Sequence, residues 1–404
     1  MRTAYTKRHE LHITADFNST TPIEIIGAPR SVRKLYINGR KISHEVDKNG
    51  IWKAIVKYEK PKINLPNLKK LDWKYVNTLP ELQDSYDDSA WTTADLTGTN
   101  NPRELDTPTS LYAGDYGYHA GYLLYRGHFI ADGSEETLLL GTQGGTAYSS
   151  SVWLNGNYLG SWRGTNSASS NNATYTLTSL SADKHYILTV LIDTTGVDAN
   201  WNVGADEMKA PRGILNYELS GREKDAITWK LTGNLGGEDY ADRVRGPRNE
   251  GGLFVERQGW HQPEPPSQSW GSVNPVTEGV SGVGVGYFTT SFDLDIPKGW
   301  DVPLYLTITN NTETPAPYRV QLYVNGYQFG KYISNIGPQT KFPIPEGILD
   351  YHGTNWLGIT LWSLDKDGAK VEDLSLEFGT PVLTGLREVE LVKMPAYKKR
   401  KAAY

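Results

Sequence analysis

A chain of 404 residues is too long for one ordinary core, so two or three domains are expected. Its 41 glycines and 22 prolines suit a loop-rich β protein, and an aromatic content weighted to Tyr (25) and Trp (12) over Phe (8) suits half-buried sheets and sugar-contacting surfaces. The formal net charge of −5 leaves no electrostatic footprint for nucleic acid or an anionic membrane, and zero cysteines remove disulfides, thiolate zinc sites and cysteine nucleophiles together.

Read from the N-terminus, MRTAYTKRHELHITADF has no continuous apolar core, so no signal peptide is expected in it, and no segment approaches the ~18 apolar residues of a membrane span. Residues 1–60 hold about five strand-like runs, LHITADF and LYINGRKIS among them, too few and too open at their start for a complete domain. KPKINLPNLKKLDWKY follows as a linker, with a short helix candidate over Leu65–Leu71. Then come GYLLYRGHFIA, VWLNGNYLGSW, YILTVLI and AITWKLTG, rich in β-branched and aromatic residues and bounded by turn formers. GNLGGEDYADRVRGPRNEGGLFVERQGWHQPEPP is dense in Gly and Pro and reads as a long loop and crossover. Beyond it lie GYFTTSFDLDI, LYLTITN, LYVNGYQFGKY and WLGITLW, and the basic KKRK at Lys398–Lys401 is expected to be a solvated tail.

One pattern recurs. VWLNGNYLGSW (Val152–Trp162) and LYVNGYQFGKY (Leu322–Tyr332) match at an offset of 170 residues, and a fainter copy starts at Leu35 with Ser43 in place of the second glycine. Asn-Gly between apolar runs predicts a type I′ hairpin turn, because both central positions need positive φ. The second glycine, Gly160 or Gly330, is expected to mark a bulge or a close backbone approach. HYILTVLI from His185 matches NWLGITLW from Asn355 at the same offset, and GYLLYRGHF from Gly121 answers GYFTTSFDL from Gly286 at 165. DDSAW, ending at Trp91, answers SQSW, ending at Trp270. Four landmarks in the same order imply two copies of one domain, each a double-sheet β-sandwich of the jelly-roll kind. The expected organisation is all-β: a partial sandwich over 1–60, a first copy over 61–251 and a second over 252–404.

Catalytic signals are sparse. A glycosidase needs two carboxylates facing one another across a sugar ring, but 46 acidic residues make chance pairs easy to find, and Asp206-Glu207 and Glu238-Asp239 read as solvated loop acids. The eight histidines are scattered singly without HExxH, so neither a metal nor a cofactor site is expected. GVGVGYF at Gly282 opens a strand and so provides no helix N-terminus for a phosphate. Sequons at Asn18, Asn172 and Asn310, each in a polar, loop-like context, favour a glycosylated, secreted chain.

The stretch TTGVDANWNVGADEMKAPRGIL stands out, with Trp201 between Asn200 and Asn202 in a polar loop. An indole there exposes apolar area unless something covers it, and a pyranose face is a natural partner, with the flanking amides placed for its hydroxyls. The alternative is that Trp201 folds back as a plug over its own sandwich. Trp162 and Trp260 are further aromatic anchors, with core or interdomain packing as the competing reading.

APRGILNYELSGR, WKLTGNLGGEDYADRVRGPRNEGGLFVERQGWHQP and the paired WLNG and YVNG hairpins resemble the C-terminal part of fungal β-galactosidases of glycoside hydrolase family 35. The resemblance covers nearly the whole chain from about Leu11. It implies an incomplete immunoglobulin-like domain followed by two jelly rolls, downstream of a (β/α)₈ barrel that carries two catalytic glutamates. Neither glutamate maps onto this sequence, so no catalytic residue is expected in it. The family places an aromatic near the active-site mouth on a jelly-roll loop, and Trp201 occupies that position. The resemblance therefore implies a non-catalytic part of a retaining β-galactosidase, with galactosides and an upstream barrel as partners. A freestanding galactoside-binding protein is the alternative.

Overall fold

The computed structural model describes residues 1–198, 209–234, 250–309 and 316–392. Asn200, Trp201, Asn202, Asn310, the loop acids Asp206-Glu207 and Glu238-Asp239, and the KKRK tail lie outside the described residues.

The first 56 residues form seven strands: β1 (Thr3–Lys7), β2 (Glu10–Thr14), β3 (Thr21–Ile25), β4 (Lys34–Ile37), β5 (Arg40–Ile42), β6 (His44–Val46) and β7 (Trp52–Val56). They make two sheets, ordered β1-β2-β4-β5 and β3-β7-β6, rather than the five runs expected. Strict alternation in β7 turns Trp52, Ala54 and Val56 inward onto Leu11, Leu35 and Ile37.

The first sandwich contains β9 (Thr92–Thr93), β10 (Gly121–Ile130), β11 (Thr137–Gln143), β12 (Ser149–Leu154), β13 (Asn157–Trp162), β14 (Ser170–Thr176), β15 (His185–Thr194), β16 (Gly213–Leu219) and β17 (Thr228–Thr232). Its sheets run β13-β12-β15-β10-β17-β9 and β14-β11-β16. Among the described residues of the segment expected to be all loop, Phe254–Arg257 forms one helical turn, α1. The second sandwich contains β18 (Gly284–Asp293), β20 (Leu304–Thr309), β21 (Tyr318–Val324), β22 (Tyr327–Ile333), β23 (Lys341–Ile344), β24 (Thr354–Ser363) and β25 (Asp373–Phe378), while β19 (Trp300–Asp301) pairs with β26 (Val382–Leu383) beside it.

The larger sheet of the second sandwich runs β22-β21-β24-β18-β8, and its last strand, β8 (Lys74–Asn77), comes from upstream of the whole first sandwich. In the first sandwich the equivalent place beside β10 is taken by β17, from the downstream side. Residues 61–77 were expected with the first copy, yet Leu68 and Trp73 are buried in the core of the second. The helix candidate at 65–71 is a single 3₁₀ turn, Leu68–Lys70, that delivers these two residues.

Each Asn-Gly turn has positive φ at both positions: 48° and 74° at Asn38-Gly39, 43° and 72° at Asn155-Gly156, 47° and 86° at Asn325-Gly326. The asparagines do more than tolerate that conformation. Each Oδ1 accepts a backbone N–H from the adjacent strand: Ala15 onto Asn38 at 2.9 Å, Ile187 onto Asn155 at 2.7 Å and Trp356 onto Asn325 at 2.8 Å. The expected bulges are present, with register shifts opposite Gly160 and Gly330. A Cβ on Gly160 would come within 2.6 Å of the Tyr175 ring, and one on Gly330 would overlap Phe342. These contacts also correct the alignment. Ile187 answers Trp356, so the β15-to-β24 offset is one less than 170, and Gly121 answers Gly284 rather than Gly286.

The two sandwiches stack through their larger sheets. Tyr122, Leu124, Trp153 and Leu191 from one meet Val285, Tyr287, Tyr323 and Trp362 from the other in one buried cluster. This explains why β10, β15 and β24 read as nearly continuous apolar runs: each is covered on both faces, by its own core and by the neighbouring sandwich. Charges are buried here too. Arg319 reaches across to Asp193 (2.9 Å) and to the Ser149 hydroxyl (2.6 Å), and Lys331 bridges Asp193 (2.5 Å) and Glu250 (2.7 Å). Burial pushes the Asp193 carboxyl up, but Lys331 and Arg319 outweigh it and hold it below its ordinary value.

Candidate functional site

The segment expected to meet a sugar is strung between two described legs. Strand β15 ends at Thr194, Thr195 N–H donates to the Gly144 carbonyl at 2.8 Å, and the chain departs at Asp198. It returns at Lys209 and enters β16 at Gly213. Between the legs and residues 101–118 lies a cleft of about 480 Å³, bordered by Asn101, Tyr112, Asp115, Tyr118, Asp198 and Lys209.

Local polar bonds shape its walls. Asn101 Nδ2 donates to the Lys209 carbonyl (3.0 Å), and the Ser110 hydroxyl donates to Asp115 (2.6 Å). Tyr112 donates to the Glu104 carbonyl at 2.9 Å, and the Tyr118 hydroxyl meets Thr92 Oγ1 at 2.8 Å. Both rings are almost wholly buried, at 2% and 1% exposure, so neither offers an open stacking face. Burial raises the Tyr112 pKa, partly opposed by Arg103. The large apolar group that stands out here is Val197, 68% exposed. The described walls thus supply hydrogen-bonding groups without an aromatic platform.

Hydrolysis would need a carboxyl poised as an acid beside a second carboxylate. In this cleft Asp198 is paired with Arg212 at 2.6 Å, and Asp115 is held by Ser110. Among the described residues the carboxyls shifted upward are Glu250, Glu256 and Glu346, and none borders the cleft. Burial and the Glu250 charge push Glu256 up to about 7, but it is completely buried between the sandwiches. Glu346 lines a separate cleft of about 580 Å³ beside Trp300 and Tyr305. Among the described residues, then, this cleft carries polar groups but no upward-shifted carboxyl.

The other expected site residues separate clearly. Asn18 is exposed in a bend after Phe17. Asn172 is also exposed, but it lies on the edge strand β14 rather than in a loop, and its side chain lies over Gly141 on the neighbouring strand. Trp162 packs against the core of the first sandwich, and Trp260 joins the cluster between the sandwiches, so both serve packing. Sequence reasoning missed Arg319, Lys331 and Glu256, since no local pattern signals a partner so far away along the chain.

Comparison with known proteins agrees with this architecture. The family model described as "Beta-galactosidase second all-beta domain" matches twice, at residues 86–198 and 254–367, and "Beta-galactosidase, domain 3" matches residues 1–53. The chain is 64% identical over its whole length to "Beta-galactosidase A" of Aspergillus niger and 61% identical to "Probable beta-galactosidase A" of Aspergillus fumigatus. It spans 40% of the length of each of these curated relatives and corresponds to their C-terminal portion. A solved structure of an "anti-sigma factor domain-containing protein" aligns over 80% of this chain and 97% of its own, at 11% identity and a TM-score of 0.23, too low to carry an argument. The paired sandwiches and the double match together place this chain in the β-galactosidase all-β domain family.

Proposed function

We propose that this chain is the non-catalytic β-sandwich part of a secreted, retaining β-galactosidase that removes terminal non-reducing β-D-galactose from β-galactosides. The observation that carries this reading is identity above 60% along the entire chain to β-galactosidases more than twice as long. Within such an enzyme the two sandwiches, read as jelly rolls, buttress an upstream barrel whose two glutamates act as acid/base and nucleophile. The cleft bordered by residues 101–118, 197–198 and 209–212 contributes to the aglycone side, with Trp201 stacking on sugar and Asn200 and Asn202 bonding its hydroxyls. Asn18, Asn172 and Asn310 carry N-glycans; the exposure of the first two supports this. No cofactor or metal is assigned a part.

The test is hydrolysis of a chromogenic β-galactoside by the purified 404-residue chain. No turnover is expected, whereas a catalysed rate even ~10⁶-fold above the uncatalysed one would be plainly visible. Activity that survives purification and disappears on mutating a carboxylate of this chain would refute the reading. A second reading, a freestanding galactoside-binding protein, draws on the polar cleft. Millimolar or tighter binding of lactose by the isolated chain would favour it.

A further inference from the structure

We propose that His128 and His185 form a two-histidine binding site for zinc on the first sandwich. The two stand 57 positions apart in the sequence, on the neighbouring strands β10 and β15. The register sets Ile187 opposite His128 and His185 opposite Ile130, so the histidines are diagonal neighbours on one face of the sheet. The same face carries Leu124 and Leu191 into the cluster between the sandwiches. The histidines lie beyond its covered part: His185 is exposed, and 23% of the His128 side chain is open to solvent.

Asp88 orients the pair from behind. Its Oδ2 lies 2.8 Å from His128 Nε2, and the same carboxylate takes Arg126 at 2.5 Å and Lys230 at 3.2 Å. An ionised carboxylate only accepts, so the His128 nitrogen that faces it carries the proton. The neutral ring then keeps its lone pair on Nδ1, toward His185. A carboxylate behind a histidine fixes the tautomer in this way, and strengthens the free nitrogen, in metal sites generally. His128 Nδ1 and His185 Nε2 are 3.3 Å apart. Two nitrogens each about 2.0–2.1 Å from one tetrahedral ion stand about 3.3–3.4 Å apart, so the spacing already suits zinc. In the metal-free pair His185 Nε2 donates its proton to His128 Nδ1. When zinc binds, that proton passes through solvent to His185 Nδ1, and both facing nitrogens become ligands with no net proton released. Imidazole nitrogen selects zinc and its transition-metal neighbours over magnesium and calcium, which take oxygen. The surrounding charges are Asp84, Asp87 and Asp88 against Arg126 and Lys230, a balance that favours a cation. Among the described residues no set of three or more His, Cys, Asp or Glu side chains is arranged for a metal, so water completes the coordination.

Calorimetric titration of the 404-residue chain with zinc chloride at neutral pH tests this. Half the ligand set of a structural zinc site should give a Kd of about 1–100 µM. His185→Asn changes an exposed position, so it is expected to keep the parent's melting temperature in the absence of zinc while weakening zinc at least about tenfold. His128→Asn should weaken it equally, and the double variant no further than either single one, because one site is lost once. Nitrogen-15 spectra of the imidazoles give a second readout: zinc should shift His128 Nδ1 and His185 Nε2 and leave His128 Nε2 protonated. A parent Kd weaker than about 1 mM would overturn the proposal and leave the contact a hydrogen bond only. Equal affinity in the parent and His185→Asn would overturn it too, as would a further loss in the double variant, since each places the zinc elsewhere.

Discussion

Replacing Glu256 by glutamine should make the protein more stable above neutral pH while changing little in acid. Glu256 is the third residue of α1, and one of its oxygens accepts the Leu253 N–H at 3.1 Å. Its carboxyl faces the Glu250 charge and the Tyr323 hydroxyl, Glu250 is itself paired with Lys331, and the next residue, Arg257, forms a wholly buried pair with Glu81. Burial first, and the Glu250 charge second, raise its pKa from 4.5 to about 7. A carboxyl raised by the fold contributes its full stability below 4.5 and loses it progressively as pH climbs through about 7. At 1.36 kcal/mol per unit this amounts to about 3 kcal/mol. Glutamine is neutral at every pH and can accept the same N–H. The gap between Glu256→Gln and the parent should therefore open between pH 4.5 and 7 and stay level beyond, reaching on the order of 4 °C in melting temperature. Thermal scans at pH 4, 6 and 8 on both proteins read the gap directly, and other titrating groups cancel in the difference. A gap that does not change between pH 4 and 8, or that turns against the glutamine variant as pH rises, would refute the reasoning.

Two more predictions concern architecture. Asn155→Gly and Asn325→Gly keep the left-handed turn but lose the amide bond to the next strand, costing about 1 kcal/mol each; alanine adds about 1 to 2 kcal/mol of backbone strain, and equal urea midpoints for the Gly and Ala variants would remove that distinction. A fragment beginning at residue 252 lacks β8, Leu68 and Trp73 and should not give dispersed amide NMR signals until residues 61–78 are supplied in trans; a folded fragment without them would contradict the role given to β8.

Much of the fold was legible because it is written in short-range patterns. Asn-Gly flanked by apolar alternation specifies its turn locally, and all three copies fold as expected. The offset error between β15 and β24 has a physical source: both faces of these strands are apolar, so the sequence lacks the alternation that would reveal a one-residue slip. The origin of β8 was hidden for a different reason, since KYVN carries no mark of which sheet it joins. The interdomain charges were equally silent, because Arg319 and Asp193 are brought together only when two finished sheets stack. At the candidate site the stretch stood out in the sequence by a tryptophan set among polar residues, whereas the bonds of Arg212 to the Gly196 and Ala210 carbonyls depend on backbone groups, which sequence does not display.

The borrowed strand also has a consequence in time. β8 ends at Asn77, and its partner β18 begins only at Gly284, after the whole first sandwich. At a synthesis rate of about 5–20 residues per second, the ribosome needs roughly 10 to 40 s to deliver that partner. The first sandwich can close in much less. During that interval a nascent chain carries a folded insert while the opening strand of the second sandwich waits with its hydrogen-bonding edge bare. Chaperone demand in the cell should be concentrated in that interval, and slowing translation between β17 and β18 should lengthen the exposure and lower the yield of native protein.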